Sequence, residues 1–197
     1  MTDEKCAPAP QATAKDLAEQ MSRVHISRVG ELPRIELYLD QVLSIVDDEL
    51  SFMALPGEEI LTGSMVNNYV KRKLVSAPQR KRYTRRQVAS LLFVSALKRV
   101  YSIAQIEQIM GMITSTQADV AVLYDEVVAA LECALQEQFS VGPDFVAPAV
   151  EPRITLQAPD GAQGVFELAR VLEAAVVSLA AKIYVDKMLA AHGAQHN

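Results

Sequence analysis

Apolar residues recur at helical spacing over most of this chain, which predicts a protein built of helices. Leu17, Met21, Val24 and Val29 outline a short amphipathic helix over 14–28. After Pro33, the run Ile35, Tyr38, Leu39, Val42, Ile45, Val46, Leu50, Met53 predicts a helix with one buried face, ended by Pro56-Gly57. Thr62 is placed to cap a helix over 63–73, which Ser76-Ala77-Pro78 breaks. Thr84-Arg85-Arg86-Gln87 and Ser102-Ile103-Ala104-Gln105 are capping boxes, opening helices over 85–100 and 103–113. The second of these carries Ile103, Ile106, Ile109, Met110 and Ile113 on its inner side. A longer helix over 115–139 holds Val120, Leu123, Tyr124, Val127, Leu131, Leu135 and Phe139, and Gly142-Pro143 stops it. The last helix, over 165–191, is apolar nearly all round at its centre, so it must be buried against several neighbours or a second subunit. Residues 143–163 are proline-rich, with the turn signal Pro159-Asp160-Gly161 and one alternating stretch, Arg153–Gln157, that reads as a lone strand. Residues 1–13 read as a disordered tail.

Charge changes this picture. Between Glu59 and Glu107 there is no acidic residue, yet the window holds 10 of the 19 lysines and arginines. They are Lys71, Arg72, Lys73, Arg80, Lys81, Arg82, Arg85, Arg86, Lys98 and Arg99. The window therefore carries +10 and the rest of the chain −15 (9 bases against 24 acids), a split hidden by the net charge of −5. A cationic block inside an acidic protein is the footprint of a surface that meets a polyanion. Its plainer alternative is a solvated positive face.

Composition narrows the remaining chemistry. With 50% apolar residues over 197 positions, the chain can bury a substantial core. Two cysteines, Cys6 in the tail and Cys133 inside a helix, argue against a disulfide framework, and Cys133 reads as a small buried hydrophobe. No cationic-apolar leader opens the sequence, and the longest uncharged run of the last helix, Ala174–Ala181, falls well short of the roughly 20 residues that span a bilayer. The expectation is a cytoplasmic protein with no membrane partner. His192 and His196 have metal-ligand spacing, but no cysteine or carboxylate cluster completes a site, so neither metal nor other cofactor is expected. Asp47-Asp48-Glu49 and Glu58-Glu59 read as a solvated helix end and a turn. No phosphate-binding loop, nucleophile elbow or metalloprotease motif appears, which points away from an enzyme.

Residues 62–113 form one unit: capped helix, basic loop, capped helix, tight turn, helix. In a winged helix-turn-helix the short helix enters the major groove and the loop grips phosphate. Thr62, Ser64, Asn67, Asn68, Lys71 and Arg72 make one face of the first helix polar, while Met65, Val66, Tyr69, Val70 and Leu74 make the other apolar. Asparagine can read adenine, and lysine or arginine can read guanine or hold phosphate. Asn67 and Asn68 stand open between base contact and ordinary helix polarity. Tyr69 and Tyr83 read as core, and Lys98 and Arg99 as a solvated helix end.

The motifs Thr62-Gly-Ser-Met-Val-Asn-Asn-Tyr69, Lys73-Leu-Val-Ser-Ala-Pro78, Lys81-Arg82-Tyr83-Thr84 and Tyr101-Ser-Ile-Ala-Gln-Ile106, with Leu91, resemble the DNA-binding head of MerR-type regulators. Asn67 and Asn68 stand where that pattern has an arginine and a tyrosine. Together with Leu32-Pro33-Arg-Ile-Glu-Leu-Tyr-Leu-Asp-Gln41 and Ile60-Leu61, the chain looks similar to an uncharacterised bacterial family, the domain of unknown function 1836. The resemblance spans residues 30–113 and implies a dimer joined by the long helix behind the head.

The expectation is therefore an all-α protein in three parts. A tail and short helix (1–29) lead into a MerR-like winged helix-turn-helix head with a small β wing (30–113), and long C-terminal helices (114–197) follow for dimerisation or for a ligand or partner. The expected function is sequence-specific binding of double-stranded DNA by a homodimeric transcription regulator. Thr62, Ser64, Asn67, Asn68, Lys71 and Arg72 face the groove, and Arg80, Lys81, Arg82, Arg85 and Arg86 hold phosphate. A small-molecule effector stays open, since it would need a cavity among the C-terminal helices. The alternative is a module that uses the same fold to bind an acidic protein rather than DNA.

Overall fold

A computed structural model describes residues 13–116, 118–140, 154–155 and 163–193. Among them are seven α-helices: α1 (Ala14–Ser22), α2 (Leu39–Glu49), α3 (Gly63–Lys71), α4 (Arg85–Leu97), α5 (Ile103–Ser115), α6 (Val120–Phe139) and α7 (Gln163–Gly193). A single 3-10 turn, Ser51–Met53, follows α2. The all-helical expectation holds. No named strand occurs among the described residues, which contain two isolated antiparallel bridges, Leu37 with Tyr83 and Gln79 with Arg82. The tail read over 1–13 and the strand read over 153–157 fall almost wholly outside the described residues.

Local chemistry explains the helix ends. Thr13 accepts from the Asp16 amide, and Asp16 accepts from the Thr13 amide, closing a box at the start of α1. Thr62 accepts from the Met65 amide at 3.3 Å, and Ser102 from the Gln105 amide at 3.3 Å. Asp119 accepts from the Ala121 amide, so α6 begins at Val120, five residues later than the apolar pattern suggests. α3 ends in a Schellman turn: Leu74 N–H donates to Tyr69 C=O and Lys73 N–H to Val70 C=O, with Lys73 at φ 60°.

The helix read from Ile35 begins only at Leu39. Leu37 exchanges two backbone hydrogen bonds with Tyr83, at 2.9 and 2.8 Å, which keeps the chain extended up to Tyr38. In consequence Ile35 is 70% exposed and Tyr38 49% exposed, against the buried positions their spacing implied. The helix expected over 14–28 stops at Ser22 because the next segment is held by side chains instead. The Ile26 amide donates to Glu132, the Val29 amide to Asp125 and the Ser27 amide to Glu49.

α4 is the central helix: every residue from Gln87 to Leu97 is buried except Ser90. It packs against α2, α6 and α7, while α6 and α7 pack along each other and α1 lies on α6. Phe139 and Tyr184 meet edge to face at 5.1 Å where α6 ends against α7. Buried residues from all three expected segments line one apolar cluster, from Leu17 through Val66 to Ile183. Tyr69 and Tyr83 belong to it, as expected. Cys133 does not: it lies on the outer side of α6 and is exposed, while Leu131, Ala134 and Leu135 face the core. Among the described residues, no helix is long and apolar enough to cross a membrane.

Candidate nucleic-acid interface

Three helix starts converge around the basic turn. A side chain at Gly63, the first residue of α3, would meet Leu39, the first residue of α2, at 3.4 Å. Tyr38, which precedes α2, receives a hydrogen bond from Arg82 Nη2 at 2.9 Å. Gln87, in the first turn of α4, accepts from the Thr84 amide (2.8 Å) and donates from Nε2 to the carbonyls of Ser76 (2.9 Å) and Ala77 (3.1 Å). That side chain therefore pins the start of α4 to the strand of chain leaving α3. The capping box was legible in the sequence; the reach to Ser76 and Ala77 depends on folding and was not.

The turn itself is Gln79–Arg82, closed by the Arg82 amide on the Gln79 carbonyl at 2.8 Å. Its two central residues, Arg80 and Lys81, have φ of 49° and 62°, the sign pattern of a primed hairpin turn. Glycine or asparagine would adopt that backbone at less cost, and arginine and lysine occupy it. With Lys73, all the non-glycine residues of positive φ among those described are cations of this one surface.

The predicted contact residues sort into three groups. Asn67, Asn68 and Lys71 are exposed on α3, opposite the buried Val66 and Tyr69. Arg80, Lys81, Arg85 and Arg86 are exposed and have no acidic partner among the described residues. Thr62, Ser64, Arg72 and Arg82, the last on Tyr38, are partly committed already. The Thr62 hydroxyl caps α3 and lies 2.9 Å from Ser64 Oγ, while Arg72 pairs with Glu107 of α5 at 2.9 Å. Lys73, counted in the cationic window but not among the predicted contacts, joins the surface because α3 ends at Lys71, before the expected 73, and leaves it exposed in the turn behind the helix.

Arg99 corrects the reading of a solvated helix end. Its side chain is only 9% exposed and bridges Glu58 (2.6 Å) and Asp186 of α7 (3.2 Å). The Arg99 guanidinium holds the Glu58 carboxyl below its ordinary range. Arg99 thus clamps the end of α4 to α7 and leaves the cationic surface, whereas Lys98 stays exposed.

Electrostatics favour an anion here. The first turns of α3, α4 and α5 contain no acidic residue. Arg85 and Arg86 instead occupy the positive end of the α4 dipole, where cations cost about 0.3–1 kcal/mol each and an anion recovers that. By contrast, the apolar cavity between α4, α6 and α7, lined by Leu92, Phe93, Tyr124, Val127 and Leu179 among others, measures about 30 Å³. Ligand sites need roughly several hundred Å³, so this gap is packing space rather than an effector site.

A family profile described as Domain of unknown function (DUF1836) matches residues 27–127, a stretch that runs from the segment between α1 and α2 into α6. No curated protein and no solved structure gives a significant match.

Proposed function

The chain belongs to the family described as Domain of unknown function (DUF1836), and from that premise we propose that it binds double-stranded DNA in a sequence-specific manner, as a homodimeric transcription regulator. One observation carries the reading. Lys71, Lys73, Arg80, Lys81, Arg85 and Arg86 are exposed around converging helix starts, without acidic partners among the described residues, and three of them sit on costly left-handed backbone. On this reading residues 62–113 are a MerR-like winged helix-turn-helix. α3 enters the major groove with Asn67 and Asn68 toward base edges, and the Gln79–Arg82 turn acts as a reduced wing on the phosphates. Arg85, Arg86 and the free amides of the α4 first turn take a further phosphate.

The homodimer has its own support in α7. Val171, Ala174 and Val185 lie exposed on it at heptad spacing, with Ser178, Ala181 and Met188 half-buried in the same register, and the neighbouring Val177 and Leu189 are 47% and 65% exposed. Such a stripe on a helix already buried along its other side fits a second helix.

The test is fluorescence anisotropy of a labelled mixed-sequence duplex across a salt series. Wild type is compared with Arg80→Ala/Lys81→Ala/Arg82→Ala. The expected result is binding that weakens steeply with salt, at about −0.9 in log–log slope per phosphate contact, and a shallower, weaker curve for the variant. A folded wild type that binds no duplex at low salt would sink the reading and turn attention to acidic protein partners.

A further inference from the structure

We propose that Tyr38 is a positioning residue for Arg82, holding its guanidinium ready for a DNA phosphate without neutralising it; the inference rests on the DNA reading above. The Arg82 guanidinium carbon lies 4.7 Å from the centre of the Tyr38 ring, and its Nη2 donates to the Tyr38 hydroxyl at 2.9 Å. The other arginines that the fold holds among the described residues are held by carboxylates. Arg23 pairs with Glu19, Arg28 with Glu132, Arg72 with Glu107, Arg99 with Glu58 and Asp186, and Arg170 with Glu173. An arginine paired with a carboxylate must give up that partner before it can grip a phosphate. One resting on an aromatic face keeps its whole charge and most of its five N–H donors free.

Tyr38 is itself held in place. Its amide donates to Gln41 Oε1 at 2.9 Å, and the neighbouring Leu37 is tied by two backbone hydrogen bonds to Tyr83, the residue after Arg82. Ring and guanidinium therefore face each other across two segments locked in register, with Arg82 further fixed by its amide on Gln79. Arg80 and Lys81, at the tip of the same turn, have no such support among the described residues. The arrangement orders one cation of the turn in advance, so that binding a phosphate sacrifices less of its side-chain freedom.

A double-mutant cycle on the full chain tests this, with Tyr38→Leu, Arg82→Ala and their combination measured for affinity to the labelled duplex at fixed salt and for melting temperature. Tyr38→Leu is expected to weaken binding about two- to five-fold in the wild-type background, the range of an exposed cation–π contact. The loss should disappear once Arg82 is alanine, because Tyr38 then has nothing to position. Tyr38→Phe, which keeps the ring and loses the hydroxyl, should fall between. An equal loss in both backgrounds, or no loss in the first, overturns the proposal while the DNA reading stands. A wild type that binds no duplex overturns both, and shows it before any variant is measured.

Discussion

At the scale of single residues, most of the cationic window does one of two jobs, and partners decide which. Arg99 is buried against Glu58 and Asp186 and serves the fold; Arg80, Lys81, Arg85 and Arg86 are exposed and unpaired among the described residues. Arg72 lies between, held by Glu107 at 2.9 Å with both side chains partly exposed. Such a pair contributes about 0–1 kcal/mol to stability, so removing the acid is cheap. Glu107→Gln is expected to leave the melting temperature nearly unchanged and to tighten duplex binding several-fold, read by anisotropy; unchanged affinity would place Arg72 outside the interface. The turn offers a sharper test. Replacing Arg80 and Lys81 by Asn-Gly relieves positive-φ strain of about 1 kcal/mol or more per residue, which should raise the melting temperature. The same change should weaken DNA binding and flatten the salt dependence by up to about two contacts. A variant that is more stable and binds equally well would mean the cations are incidental. Tyr69 gives a control on the inner face of α3. Its hydroxyl is buried with no hydrogen-bond partner among the described groups. Tyr69→Phe should therefore stabilise the fold by about 1 kcal/mol in a urea melt and leave DNA affinity alone.

Elements show where side chains replace helix. Between α1 and α2 the chain forms a strap over α6, with the Ile26 amide and the Arg28 guanidinium both on Glu132 and the Val29 amide on Asp125. Burial alone would raise the Glu132 carboxyl, but the bonds from Arg28 and Ile26 outweigh it and hold the group below its ordinary value of 4.5. A carboxyl lowered in the folded state stabilises the fold fully above its unfolded value, and that contribution is lost as pH falls through the lowered folded value. Wild type should therefore melt well above Glu132→Gln at pH 7, by about 2 kcal/mol of stability, and the gap should shrink as pH falls below 4.5 and through the lowered folded value. A gap independent of pH would refute an ionised latch. This strap also marks the limit of what the sequence could disclose. Capped starts at Thr62, Thr84 and Ser102 were legible because each depends on neighbours within one turn. The partner of Arg28 is 104 residues away and that of Arg99 on α7 is 87 away, and nothing local records either. The site divided the same way. The cationic block was plain from charge alone, whereas the Tyr38–Arg82 contact was hidden, because Tyr38 fits a buried helical position until the Leu37–Tyr83 pairing delays the start of α2.

For the whole molecule, the proposed homodimer turns on α7. At 31 residues it extends about 46 Å. One side carries Leu168, Leu172, Ala175, Leu179 and Ile183 into the core. The opposite stripe runs from Val171 to Met188, apolar but for Ser178, with small residues Ala174, Ser178 and Ala181 at its middle that would let another helix approach closely. Antiparallel pairing of two α7 helices about the Leu179–Ala180 midpoint sets Ala174 against Val185, Ser178 against Ala181 and Val171 against Met188. Each contact then occurs twice, as a two-fold interface requires. Val177→Glu/Val185→Glu places one charge in each stripe and one beside it, while changing no residue of the core cluster. By light scattering after gel filtration, the wild type should have the mass of a dimer and this variant that of a monomer, with circular dichroism unchanged. If the two heads read paired half-sites, the monomer should also lose about a hundredfold in affinity for a palindromic duplex and little for a single half-site, because linked binding is what the second head supplies. A variant that remains dimeric would move the interface off α7. A variant that is monomeric yet binds the palindrome undiminished would mean that one head suffices.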